Sequence, residues 1–139
     1  GDTGICVDLV KGHHNLGISS ENGYIVPLDC GATGKTLLAA QSDELVERLI
    51  QNYPGLEEKL RNQVKEIRQR GYCISEGEVD EGVAAVAVPL PMPDHIYTLT
   101  YSGPVERLRG LDYMVLVHSL QQAVKNILLK CDGKRKEAL

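Results

Sequence analysis

Apolar residues recur along the chain with two different periods, and the changes of period divide the sequence into elements. Residues 5–10 form a short apolar run that stops at Lys11-Gly12 and predicts a strand. The stretch 13–22 is polar and contains glycine, as expected of a loop. Residues 24–28 predict a second strand, which Pro27 confines to an edge or a strand end. A short helix is expected over 33–40. Ser42, followed by Asp43 and Glu44, has the pattern of an N-cap ahead of Leu45, Val46, Leu49, Ile50 and Tyr53 at helical spacing. Asn52-Tyr53-Pro54-Gly55 ends that helix. The next places Leu56, Leu60, Val64 and Ile67 on one face and stops at Gly71, a residue suited to the left-handed C′ position.

After Gly71 the period shortens to two. Residues 72–75 predict a strand, and a glycine- and acid-rich turn runs on to Gly82. Residues 83–88 carry small and β-branched side chains on both faces, as in a central strand. Residues 89–94 predict a turn, with 95–102 as the hairpin partner. A short helix follows Gly103-Pro104. A long one over 111–131 carries an apolar stripe through Met114, Val117, Val124, Ile127 and Leu128. Helices and strands that do not alternate strictly indicate an α+β fold, an antiparallel sheet flanked by helices.

Composition narrows the function. With 139 residues the chain makes one domain, 1–139, with one modest core. The aromatic set is six tyrosines, without tryptophan or phenylalanine, so a base-stacking platform is not expected. A net charge of -4 does not suit a nucleic-acid surface, and Lys134-Arg135-Lys136 reads as a solvated end offset by Glu137. Cys6, Cys30, Cys73 and Cys131 are far apart, which argues against a compact zinc site and fits reduced, cytoplasmic thiols. No run reaches the length of a membrane span.

The segment Gly31-Ala32-Thr33-Gly34-Lys35-Thr36, between a strand and a helix, invites comparison with a nucleotide-binding loop. That loop needs a glycine five places before the Gly-Lys pair, and Asp29 stands there with a charge that repels phosphate. What remains is a helix N-terminus able to favour a carboxylate or phosphate, or a turn shaped only for tight packing. Thr98, Thr100 and Ser102 share one face of their strand and form either a polar pocket wall or a wet surface. Glu76, Glu78, Asp80 and Glu81 suggest a cation or acid–base site but lack the Asp-x-Asp loop spacing, and solvated acids are the commoner case. His13-His14 fits an exposed loop, and His118 a packed or interface position. Cys30, near a helix start, invites a thiolate nucleophile, but no His–Asp partner is fixed.

Taken in order, these blocks resemble the effector-binding domain of the IclR family of transcription regulators. The resemblance runs through Val26-Pro27-Leu28, Gly31 to Ala39, Ile67-Arg68-Gln69-Arg70-Gly71-Tyr72, Ser75-Glu76-Gly77-Glu78, Gly82-Val83, Ala87-Val88-Pro89, Ser102-Gly103-Pro104 and Arg107. It covers about residues 7–129. It implies a GAF/profilin-like sheet, a homodimer or homotetramer, and DNA contact only through a separate winged-helix domain, which this sequence lacks. The first helix and strand of the effector domain also look shortened, as in a fragment of a longer regulator.

The resemblance further implies a small organic acid effector (keto, sugar or aromatic), held by backbone N–H groups at the glycine turn and by polar side chains opposite. The matching positions are Ala32, Thr33, Ser75, Ala85, Thr100 and Ser102. Some members carry an acid where Ser75 stands and a cysteine where Ala85 stands. No cofactor, metal or catalytic set is implied, and effector identity, operator and direction of regulation stay open. Two rivals predict other things: a small enzyme using Cys30 or the acidic turn predicts a reactive thiol or a bound metal. A pure oligomerisation module predicts no cavity beside Gly31.

Overall fold

A computed structural model of the chain describes residues 4–5, 25–93 and 95–138, with side chains from 25 to 133. The first strand is described only at β1 (Gly4–Ile5), which pairs antiparallel with β2 (Ile25–Val26); residues 6–10, the loop 13–22 and His13-His14 lie outside the described residues. Three helices follow: α1 (Ala32–Ala39), α2 (Asp43–Ile50) and α3 (Glu57–Arg70). Ser42 Oγ accepts from the Leu45 N–H at 3.2 Å, the expected N-cap. Gly71 ends α3 with φ 83°, and its N–H donates to Ile67 O at 2.7 Å.

The main sheet has the order β3-β4-β5, all antiparallel, formed by β3 (Cys73–Glu76), β4 (Val83–Pro91) and β5 (Ile96–Pro104). β4 runs past its expected end at Val88, because Pro89, Leu90 and Pro91 pair with Thr98, Tyr97 and Ile96 instead of turning. The register explains why two prolines fit there. Val83 O accepts from Gly77 N–H, so odd-numbered residues of β4 direct their backbone polar groups toward β3. β3 ends opposite Ala87, so Pro89 and Pro91 forfeit no bond to it. The reversal follows Pro91 and precedes Ile96, and there Met92 N–H donates to His95 O.

The two faces of this sheet feed two cores. Ala85 and Ala87, with Cys73, face α1 and the apolar sides of α2 and α3, including Leu49, Ile50, Leu60 and Val64. Ala84, Val86 and Val88 face α4 (Val105–Leu111) and α5 (Tyr113–Ala138), against Leu108, Leu116, Val117 and Leu120. Of the expected stripe on the last helix, Val117 is buried and Val124 packs against this core, whereas Met114 is exposed. Leu111 belongs to α4, not to the long helix. Asp112, at φ 69°, breaks the chain between them, and its carboxylate accepts from the Met114 N–H at 3.0 Å.

Polar ties join these layers. Arg68 of α3 donates to Ala39 O at 2.8 Å and Gln41 O at 2.7 Å and pairs with Asp43, fastening the end of α1 and the start of α2 with one guanidinium. Arg109 of α4 grips Glu76 of β3 with two bonds, and Tyr113 donates to the same carboxylate. Arg109, then Tyr113, holds the Glu76 carboxyl down from its ordinary 4.5 to about 2.

A Cβ on Gly34 would lie 1.6 Å from Pro27 O, so Gly34→Ala should lose at least about 3 kcal/mol in a denaturant titration. Gly110, inside α4 with nothing within 4 Å of an added Cβ, should gain about 0.5–1 kcal/mol as Ala. Because folding lowers the Glu76 pKa, its contribution is full above 4.5 and fades as pH falls through about 2. Melting curves of wild type and Glu76→Gln should therefore differ at pH 6 and converge near pH 2; a constant gap would contradict this.

Candidate effector site

The glycine turn owes its shape to two contacts that a side chain would forbid. Gly31, at φ 81° and ψ 152°, leads into α1 from a backbone region that L-residues rarely adopt. Gly34 lets the backbone at Pro27 press against the first turn of the helix. The first intrahelical bond runs from Lys35 N–H to Gly31 O, at 3.2 Å. The amides of Ala32, Thr33 and Gly34 therefore have no partner within the helix and point beyond its end.

Beneath that end lie side chains from all three strands of the main sheet. Ser75, Ala85 and Ser102 form one cross-sheet row in register, and Thr100 sits opposite Ala87 in the next row on the same face. Ser75 Oγ accepts from the Ala32 N–H at 3.0 Å, and Thr33 Oγ1 lies 2.8 Å from Thr100 Oγ1. Ala32, Thr33, Ser75, Ala85, Thr100 and Ser102 thus occupy one locality between α1 and the sheet. Ser75 and Ala32 are buried, Thr33, Ala85 and Thr100 half-buried, and Ser102 exposed. Two direct polar contacts thus cross from α1 to the sheet, and the exposed Ser102 marks the open side of this locality.

One pairing here joins two residues that the sequence shows only apart. Lys35 is only 6% exposed, and its ammonium meets both carboxylate oxygens of Glu78, at 2.8 and 3.0 Å. Glu78 Oε1 also accepts from the Gly31 N–H at 3.3 Å. The sequence signal was an acid in a turn, indistinguishable there from its neighbours Asp80 and Glu81. A lone lysine on the buried face of a helix is the cue that a carboxylate must come to it. Thr36, which a nucleotide loop would turn toward a metal, is instead fully buried in the core.

The remaining candidates separate from this site. Burial, and then the charge of Asp29, raise the Cys30 thiol, the opposite of an activated thiolate. Among the described residues no group of three or more His, Cys, Asp or Glu could hold a metal. His118 is exposed, not packed, and with Gln121, Gln122, Lys125, Gly71, Val88, Pro89 and Val124 lines an open groove of about 490 Å³ on the α5 side of the sheet. No helix is long and apolar enough to cross a membrane, among the described residues.

Comparison with known proteins agrees with this fold. Residues 1–129 match the family model of the bacterial transcriptional regulator IclR C-terminal domain. A probable transcriptional regulator, SauR of Cupriavidus necator, is 33% identical over 99 residues, which span 65% of this chain and 39% of SauR. The C-terminal domain of a Vibrio cholerae transcriptional regulator superposes with a TM-score of 0.77 at 25% identity, covering 90% of this chain and 78% of that one. A double mutant of the PobR inducer-binding domain from Acinetobacter, in complex with 3-hydroxybenzoic acid, superposes with a TM-score of 0.66 at 26% identity, covering 78% and 68%. On the span of the family match, joined to the α+β fold with its antiparallel sheet, this chain belongs to the IclR family of transcription regulators, as their C-terminal regulatory domain.

Proposed function

We propose that residues 1–139 form a single sensory domain that binds a small organic acid between the N-terminus of α1 and the main sheet. The acid's carboxylate takes the amides of Ala32 and Thr33, where the helix end carries partial positive charge. Ser75, Thr100 and Ser102 hydrogen-bond its remaining oxygens, and the small side chain of Ala85 leaves room beneath it. The observation that carries this reading is the convergence of first-turn amides with hydroxyls from β3 and β5 on one face of the sheet. The aromatic acid in the PobR complex supports it from a relative.

Binding exchanges internal bonds for bonds to ligand. Ser75 releases the Ala32 N–H, and Thr33 and Thr100 part, so α1 shifts relative to the sheet. In the whole regulator this shift alters how copies associate, as homodimer or homotetramer, and through that the affinity of the separate DNA-binding domain. Exposed apolar residues Leu111, Met114 and Val115 around the start of α5 support a role for that region in association. The raised Cys30 thiol counts against the rival enzymatic reading.

Isothermal titration with pyruvate, gluconate and 3-hydroxybenzoate tests the site, and at least one should bind. Ser102→Ala removes one hydroxyl partner and should weaken that acid about tenfold. Thr33→Pro is tolerated in a first helical turn but removes an N–H aimed at a carboxylate, and should weaken it by about 10- to 100-fold. Unchanged affinity in both variants would move the ligand elsewhere.

A further inference from the structure

The acidic turn between β3 and β4 has no part in the effector reading, yet it closes over the same glycine turn. Glu78 reaches from it to the start of α1, where Oε1 accepts from the Gly31 N–H and the carboxylate pairs with Lys35. Beside it, Cγ2 of Val79 lies 2.6 Å from the point that a Cβ on Gly31 would occupy. The turn therefore bears on the site through one ion pair, one backbone hydrogen bond and one methyl group. Its ends are Gly77 and Gly82, both left-handed, at φ 67° and 77°. Residues 77–82 are otherwise exposed. A protein carboxylate thus already stands at the helix end where an acid ligand would bring its own.

Resting on the effector reading above, we propose that Glu78 is a built-in competitor for the ligand carboxylate, and that the turn 77–82 is the latch it holds shut. A ligand carboxylate arriving at the amides of Ala32 and Thr33 meets the like charge of Glu78 one residue away along the turn. It binds by replacing Glu78. The Gly31 N–H and the Lys35 ammonium pass to the ligand, and Glu78 swings into water on its two glycine hinges. Lys35, nearly buried, is neutralised in both states, by Glu78 when closed and by ligand when open. An uncharged analogue of the same shape cannot make the exchange, because it would leave that ammonium unpaired. The site thereby selects anions over amides, and binding moves a surface turn as its output.

The test measures affinities of pyruvate, gluconate and 3-hydroxybenzoate for wild type, Glu78→Gln and Glu78→Asp. The Gln variant removes the competing charge. The Asp variant keeps a neutralising carboxylate beside Lys35 on a shorter arm, so a folded protein is retained should the first variant unfold. Glu78→Gln should bind at least one acid tenfold or more tightly than wild type, and Glu78→Asp severalfold. In wild type, hydrogen exchange across residues 78–82 should quicken on adding that acid while exchange at the start of α1 slows. Acids binding wild type and both variants alike would overturn the latch and leave the effector site standing. Weaker binding in the variants would mark Glu78 as a plain structural partner and also overturn it. If no acid bound any of the three, the effector reading itself would fail and the latch with it.

Discussion

The bare backbone of Gly34 against the Pro27 carbonyl is the contact on which the arrangement around α1 depends. Any side chain there would push the helix off the strand end that precedes it. Seated as it is, α1 lays Ala32 on Ser75 and Thr33 on Thr100, and its far end reaches Arg68. A helix of 8 residues holds little stability of its own, so its position is set by such contacts and by burial of Leu38 and Ala39. The position of the amides at its start follows from the same contacts.

Polar satisfaction then does most of the organising that apolar burial cannot. The buried ammonium of Lys35 requires a carboxylate, and Glu78 comes from a turn 43 residues away to supply it. Arg68 uses three of its donors to hold two carbonyls and one acid where α1 passes into α2. Glu76 answers Arg109 and Tyr113 and so fixes the edge of the sheet to the junction of α4 and α5. Each tie connects elements that the apolar pattern alone would leave free to slide.

Local rules carried the sequence reading as far as they reach. Ser42, Gly71 and the small and β-branched side chains on both faces of β4 each have a physical meaning within a few residues, and the α+β class follows from such signals. The six matched positions come from the family resemblance; without it the sequence shows the alternation of hydroxyls along β5 and, at Gly31 to Thr36, a helix N-terminus suited to a carboxylate or to tight packing. Elsewhere the local rule misled, because the deciding partner was distant. Pro89 and Pro91 look like turn residues until β3 is seen to end beside Ala87. Asp112 sits inside an apolar period and gives no sign of its left-handed backbone. The tie between Lys35 and Glu78 is a long-range pairing, and no periodicity encodes it.

The alternation along β4 has one more consequence. Ala85 and Ala87 belong to the core around α1, while Val86 and Val88, their immediate neighbours in sequence, belong to the core around α5. Odd and even positions of a single strand therefore answer to separate constraints. Substitutions at the odd positions act first on what lies under α1, and those at the even positions on the seat of α5. A strand of this kind gives one backbone two separate packing tasks.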